Sequence, residues 1–438
     1  MTADGPVQPP VPPDAGPPPA PIPARRAAPR LPTSPGLAGL AAVWAFFVLA
    51  NHRFVSTENL SALAGQVAPL ILVAAGVVVV LLVGEIDLSV GEVAGLGATV
   101  AAILAFREGW PSPLAVAVGV AVGAGIGLLQ GLIVSRLGVP SFVVTLAGLL
   151  VWQGTTLALL GAQGNVNIPP GDWMARLAGA RLATPVAVAL IFGAAGLAVA
   201  DRARARQRRQ EAGLEPEPWS PAHLRLPLAV VLGAAGVAAA GGRRGVPVSL
   251  ALALAVAGGL HVVLSRTRFG RHLCAVGGDR RAAARAGVPV TRVRVSAFVL
   301  GSSLAALGGV LTASRLLAVN QTTGSGELLL TALAAAVIGG ASLFGGRGTA
   351  GSAVIGVLVL GSLANGMDLL DLPSAARFTL NGTVLLAAAT VDALSRSLPS
   401  RRGATVGGGP VGGGRPGEDQ AVVGQAVGRQ AIGEQAAR

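Results

Sequence analysis

Long apolar runs separated by short polar stretches make up most of this chain. Twelve such segments follow one another: 36–51, 62–83, 88–106, 113–135, 141–161, 182–200, 226–241, 246–264, 293–313, 327–344, 350–370 and 376–395. Each is about 16–24 residues long, which suits a helix crossing a hydrocarbon core of ~30 Å. Within them polar and apolar residues do not alternate, so the pattern of a membrane β-barrel is missing. The prediction is an all-α, polytopic membrane helix bundle of about 10–12 spans. The pair 226–241 and 246–264 is the weakest, because the first is short and the turn between them is "GGRRG". Ten spans against twelve stays open.

The flanks differ in kind. Residues 1–34, with "PPVPPDAGPPPAPIPARRAAPRLP", are rich in Pro and Ala and read as an extended, disordered tail. No short apolar region with a cleavage site follows the N-terminus, so this is not a signal peptide. Residues 397–438 are Gly-rich and polar and read the same way. The membrane domain is thus expected over 35–396. Two of its loops are long. Residues 201–225 are a charged, Pro-containing run that reads as a solvated linker. Residues 265–292 contain "GGDRRAAARAG", with Asp279 as N-cap, a short Ala/Arg helix, Gly287 as stop and Pro289 soon after. The residues alone leave spacer and docking element both open.

Composition sharpens the class. The chain is 52% hydrophobic and 12% charged, against roughly 25% charged in soluble domains. Its net charge of +13 reads as membrane topology, with Arg held in cytoplasmic loops, and not as nucleic-acid binding. With both termini inside, 25 Arg fall inside and 8 outside. Every basic residue is Arg. Without Lys a P-loop, GxxxxGK[ST], cannot be built, so the chain carries no standard P-loop ATPase. One cysteine, Cys274, excludes a disulfide framework or a Cys-based metal site, and the four scattered His lack HExxH spacing. No cofactor, metal or catalytic constellation is expected, and the chain does not read as an enzyme.

Three carboxylates interrupt the most apolar region, in "LLVGEIDLSVGEV" (81–93). Ser89 and Glu92 have capping-box spacing: the Ser89 side chain would accept from the N3 amide while Glu92 reaches back to the Ser89 amide. Asp87 can serve the same helix start, where the macrodipole favours an anion. "IGGASLFGGRGTAGS" (338–352) looks like a phosphate loop, but no GK[ST] follows, so its glycines read as tight turns and close packing.

Three segments carry a resemblance: "GEIDLSVGEVAGLGATVAAIL" (84–104), "TRFGRHLCAVGGDRRAAARAGVPVTRVRVSAFVLGSSLAALGGVLTASRL" (267–316) and "ALAAAVIGGASLFGGRGTAGSAVIGVLVLGSLANGM" (332–367). In this order they resemble the membrane permease subunits of bacterial ABC sugar importers, in the ribose/xylose branch, and most of all xylose-type permeases. Weaker agreement continues through 128–154, and the likeness covers about 36–395. It implies a multi-pass inner-membrane subunit that pairs with itself or a like subunit. A separate cytoplasmic ATPase would drive it, and an extracytoplasmic binding protein would deliver the sugar. It also makes 265–292 a coupling loop, whose short helix docks on the ATPase through Asp279, Arg280, Arg281, Ala282, Ala283 and Gly287. The family often has acids where Arg280 and Arg281 stand, and usually Gly where Glu85 stands.

Within that likeness, Asp87 and Ser89, with Glu92, read either as helix caps or as lining of an inner gate. Polar or aromatic residues within spans are few, and Gln130, Phe142, Thr145, Trp152, Gln153 and Asn365 become candidates for the translocation path. The loop 162–181, with Asp172, Trp173 and Arg176, is the candidate dock for the binding protein. The expected function is ATP-driven import of a monosaccharide, a pentose such as xylose, by alternating access. An ion-coupled secondary transporter would need acids or His deep in the spans. A permease for another small polar solute such as a nucleoside is also compatible.

Overall fold

The computed structural model describes residues 34–211, 245–324 and 326–373, with scattered positions between 213 and 242 and between 375 and 390. The expected tails, apart from Ser34, lie outside the described residues. So do nearly all of segment 226–241 and much of 376–395. The other ten apolar segments coincide with helices. In chain order these are α1 (Ser34–Ala50), α2 (Thr57–Leu82), α3 (Val90–Phe106), α4 (Ser112–Leu132) and α5 (Ser141–Leu160). Next come α6 (Trp173–Gly179), α7 (Thr184–Glu211), α8 (Val248–Arg266), α9 (Arg268–Gly278) and α10 (Arg280–Arg285). Last are α11 (Val290–Leu316), α12 (Gly326–Ile338) and α13 (Ala350–Leu369). The chain is a polytopic helical membrane protein. Among the described residues six helices are long and apolar enough to cross a bilayer: α2, α4, α5, α8, α11 and α13.

The charged run after residue 200 departs from the expected linker. Its first part continues α7 as far as Glu211. Ala, Arg, Gln and Glu are strong helix formers, and no Gly or Pro interrupts them before Gly213.

Helix α2 is the axis of the bundle. Ser56 caps it by accepting from the Asn59 amide, and residues Ile71 to Leu82 are almost without exposure. Such a helix, apolar on every side, belongs inside a bundle. Helices α3, α8, α11, α12 and α13 pack around it. Small residues permit the close crossings. Gly301 of α11 meets Gly76 of α2, and Gly309 of α11 lies against the Ala94 carbonyl of α3 so tightly that a Cβ would collide with it. Helix α3 is mostly buried and spans about 25 Å at 1.5 Å per residue, less than a full hydrocarbon core.

The two ends of the bundle are built differently. At one end, strand β1 (Asn165–Asn167) pairs antiparallel with β4 (Ala318–Asn320), and β2 (Arg181–Leu182) with β3 (Val246–Pro247). Arg107 donates there to the Leu159 and Leu160 carbonyls that end α5. At the other end, the turns 83–89, 138–140, 279–289 and 339–349 converge. The Gly346 amide donates to the Leu82 carbonyl at 3.0 Å. Gly277 of α9 lies so close to that carbonyl that no side chain fits between them.

Gly309→Ala is expected to destabilise the solubilised protein by about 1–3 kcal/mol through overpacking against α3. Gly258→Ala, at an exposed position of α8 where a Cβ meets nothing within 4 Å, should be neutral or stabilising by up to about 1 kcal/mol. Thermal unfolding in detergent compares the two.

Candidate functional site

The site is built around the break between α2 and α3. Gly84, at φ +76°, turns the chain out of α2, a conformation that favours glycine. Residues 85–89 then run without helical structure to the start of α3. The capping box expected from Ser89 and Glu92 does not form: Ser89 makes no side-chain cap. Asp87 supplies the acceptor instead. Its Oδ1 takes the Ser89 amide at 2.8 Å and the Ser89 hydroxyl at 2.7 Å. The hydroxyl is thereby turned away from the helix amides, because it donates to the carboxyl two residues back. Glu92 is buried on the first turn of α3.

Three further candidates join this break. Gln130 of α4 donates its Nε2 to Ser89 Oγ at 2.8 Å. Thr145 of α5 donates to the Ile86 carbonyl at 3.3 Å and to the Ser141 carbonyl at 2.9 Å. Trp152 of α5 faces Gln130 across Gly148: a Cβ there would lie 3.0 Å from Trp152 Nε1 and against the Gln130 amide nitrogen. Asp87, Ser89, Gln130 and Trp152 therefore form one buried polar cluster from three chain segments. Asp87 Oδ2, Gln130 Oε1 and Trp152 Nε1 have no hydrogen-bond partner among the described residues. Two acceptors and a donor are left open, which is the complement a hydroxylated solute needs. Buried polar groups without partners are uncommon and call for an explanation.

Other candidates lie elsewhere. Gln153 is exposed, turned about 100° around α5 from the cluster-facing Trp152. Asn365 of α13 is closed in a reciprocal amide pair with Asn59 of α2, at 2.7 and 3.0 Å, near the strand-bearing end. That pairing is a helix–helix contact and leaves Asn365 outside the cluster. Phe142 is exposed at the start of α5. In the 162–181 loop, Asp172 caps α6 through the Met174 amide and accepts from Ser112, while Trp173 and Arg176 are exposed.

The loop helix α10 is held by its N-cap. Asp279 Oδ1 accepts the Arg281 and Ala282 amides at 2.8 and 2.9 Å. Gly287, at φ +79°, ends the turn, and the Val288 amide returns to the Ala283 carbonyl. Ala283 is buried, whereas Arg281, Ala282, Ala284 and Arg285 are exposed. The helix shows solvent a face of small residues ringed by guanidinium groups.

A family model described as "Branched-chain amino acid transport system / permease component" matches residues 59–389. The chain belongs to that permease family. It is 35% identical to the xylose transport system permease protein XylH of Escherichia coli (strain K12), over 82% of this chain and 91% of that protein. It is 30% identical to the ribose import permease protein RbsC of Bacillus subtilis (strain 168), over 78% of this chain and 87% of that one. With the fructose import permease protein FrcC of Rhizobium meliloti it shares 29% over 80% of this chain. No solved structure matches.

In this permease, sequence reasoning missed one feature of the site. Glu85, only 4% exposed, forms ion pairs with Arg280 at the start of α10 and with Arg294 of α11. Arg294 Nε donates to Glu85 Oε1 at 2.8 Å. Glu85 and Arg280, far apart in sequence, are here two ends of one contact. Sequence alone gave no signal for Arg294. A cavity of about 410 Å³ opens beside the trio, lined also by Ser141, Phe142 and the helical turn that ends α4. That turn, Ile133–Leu137, is π-helical. The lone thiol takes no part: Cys274 is on α9, and burial pushes it up, away from the reactive thiolate.

Asp87→Ala removes both acceptor contacts to Ser89 inside the bundle. A loss of about 1–3 kcal/mol is expected, and Asp87→Ala with Ser89→Ala should cost less than the sum of the two. Thermal unfolding of the four proteins in one detergent measures the cycle.

Proposed function

We propose that this chain is the permease subunit of an ATP-driven importer of a monosaccharide, a pentose such as xylose. The observation that carries the sugar reading is the buried Asp87–Ser89–Gln130–Trp152 cluster. It leaves two acceptors and one donor open beside an indole ring, in a chain similar over most of its length to sugar permeases. Sugar hydroxyls can fill those positions, and the ring offers an apolar face to the sugar C–H groups.

Coupling follows from the other end of the same break. A separate ATPase docks on the exposed Arg281–Arg285 face of α10, and its closure displaces the helix. The permease alternates between outward- and inward-open states, and the sugar passes the Gln130 and Trp152 positions as it crosses. A binding protein docks at the strand-bearing end, against Trp173 and Arg176. The pore is a homodimer in the inner membrane, with both termini and the α10 loop on the cytoplasmic side. The Arg distribution supports that orientation, because the four turns at the α10 end share a side with Arg136, Arg266, Arg268, Arg271, Arg285 and Arg347. Lipid covers the exposed apolar residues Leu146, Leu150 and Val151 of α5 wherever the partner subunit does not.

Two measurements test this reading. First, the chain is purified in mild detergent from its own membranes, and co-eluting proteins are identified by mass spectrometry. A P-loop ATPase is expected with the native chain, and its loss is expected with Ala284→Trp, which fills the exposed docking face without straining a positive φ. No ATPase in the native preparation would overturn the importer reading. Second, uptake of radiolabelled D-xylose, D-ribose and L-arabinose is measured in cells expressing the complex. Gln130→Leu and Trp152→Leu should each lower uptake about tenfold, the loss of one or two hydrogen-bonded contacts. Full uptake by both variants would remove the cluster from the sugar path.

A further inference from the structure

The carboxylate that joins the loop helix to the helix break sits where a displacement has to pass. Glu85 Oε1 receives Arg280 from α10 and Arg294 from α11. The next residue, Ile86, is gripped by α5: its amide donates to Ser141 Oγ at 3.4 Å and its carbonyl accepts from Thr145 at 3.3 Å. Asp87 follows, holding Ser89, which in turn accepts from Gln130 of α4. Residues 85–89 therefore contact α10, α11, α5 and α4 within one short stretch. We propose that Glu85 is the positioning residue through which α10 acts on the Asp87–Ser89–Gln130 cluster. This rests on the permease reading above and adds the path by which docking reaches the solute.

Three physical features support the assignment. Glu85 is 4% exposed and Arg294 12%, so the Glu85–Arg294 attraction is little screened by salt or water. Arg280 is 45% exposed and reaches from the helix surface into that protected spot. If α10 moved away while Glu85 stayed, a buried carboxylate would lose one of its two partners, which is costly, so the segment follows the helix. The second feature is the restraint between Glu85 and the cluster. Gly84, at a positive φ, turns the chain out of α2, and the contacts of Ile86 and Asp87 leave little slack between Glu85 and Ser89. The third is room to move. The cavity beside Glu85, Arg280 and Arg294 is large enough for the Arg280 side chain to swing while α9 stays locked on the Leu82 carbonyl. The covalent route from α10 through residues 286–289 moves α11, and α11 meets the break at this same carboxylate, through Arg294.

The test is made on the assembled complex, with ATPase and binding protein, reconstituted in vesicles. Uptake of radiolabelled D-xylose and ATP hydrolysis are read in the same vesicles and expressed as sugar moved per ATP. Glu85→Gln should lower this ratio about tenfold, and Glu85→Asp, which keeps the charge, should recover part of it. Arg280→Gln should lower it less, since Arg294 still holds the carboxylate. A merely structural role would lower both activities together and leave the ratio unchanged, and that outcome would overturn the proposal. So would loss of the ATPase from the Glu85→Gln complex, which would make Glu85 a docking residue. If Glu85→Gln does not assemble, Arg280→Gln decides, because Arg280 is partly exposed and its loss leaves the bundle intact: a native ratio sinks the proposal. Failure of the importer reading shows itself separately, as a native complex that holds no ATPase or moves no sugar.

Discussion

A carboxylate withdrawn from water must be paired, and this requirement organises one end of the protein. Glu85 lies almost fully buried where α2 has just ended. Its charge can be kept there only by guanidinium groups brought in from other parts of the chain. Arg294 comes from the first turns of α11 and Arg280 from α10, each about 200 residues away. Because both meet one oxygen, the position of the loop helix, the start of α11 and the break after α2 are mutually determined. The close approach of Gly277 and Gly346 to the Leu82 carbonyl finishes the same junction with backbone contacts. The loop helix α10 and the polar cluster are therefore neighbours by construction.

The rest of the bundle depends on the absence of side chains as much as on their presence. Helix–helix contact between apolar surfaces gains little from the hydrophobic effect inside a membrane, so packing must be close to be stabilising. Gly76, Gly301 and Gly309 let α2, α3 and α11 meet backbone to backbone. A missing side chain also shapes the polar cluster: Gln130 and Trp152 share the space that Gly148 leaves. Helix α3, too short for a full span, keeps its polar start inside the protein, where non-helical backbone can be satisfied by neighbouring side chains.

The local features of α10 were legible because short-range rules govern them. Asp279 before "RRAAAR" and Gly287 after it are a cap and a stop whose geometry depends on neighbours within four residues. The same rule failed at Ser89. Its spacing to Glu92 suits a capping box, but the nearer Asp87 carboxyl accepts its hydroxyl hydrogen, and Gln130 arrives from α4 to donate to the hydroxyl from the other side. Local spacing cannot anticipate a competitor supplied by the tertiary fold. Asn365 makes a similar point: a polar residue in a span is a candidate for a path until Asn59, distant in sequence, closes on it.

The sequence by itself determined the class. Apolar runs of helical span length and the scarcity of charge require a helical membrane protein, since lipid leaves backbone groups no partners but each other. The same reading placed ten apolar helices and the loop helix, and excluded a P-loop ATPase from the chain. Only the tertiary structure decided which polar residues meet. It brought Asp87, Ser89, Gln130 and Trp152 together, sent Gln153 and Asn365 elsewhere, and joined Glu85 to Arg280 and Arg294. The reason is physical. Hydrophobicity and helix length are sums over neighbouring residues, whereas a buried hydrogen bond or ion pair depends on helix rotation and crossing, which packing across the whole bundle sets.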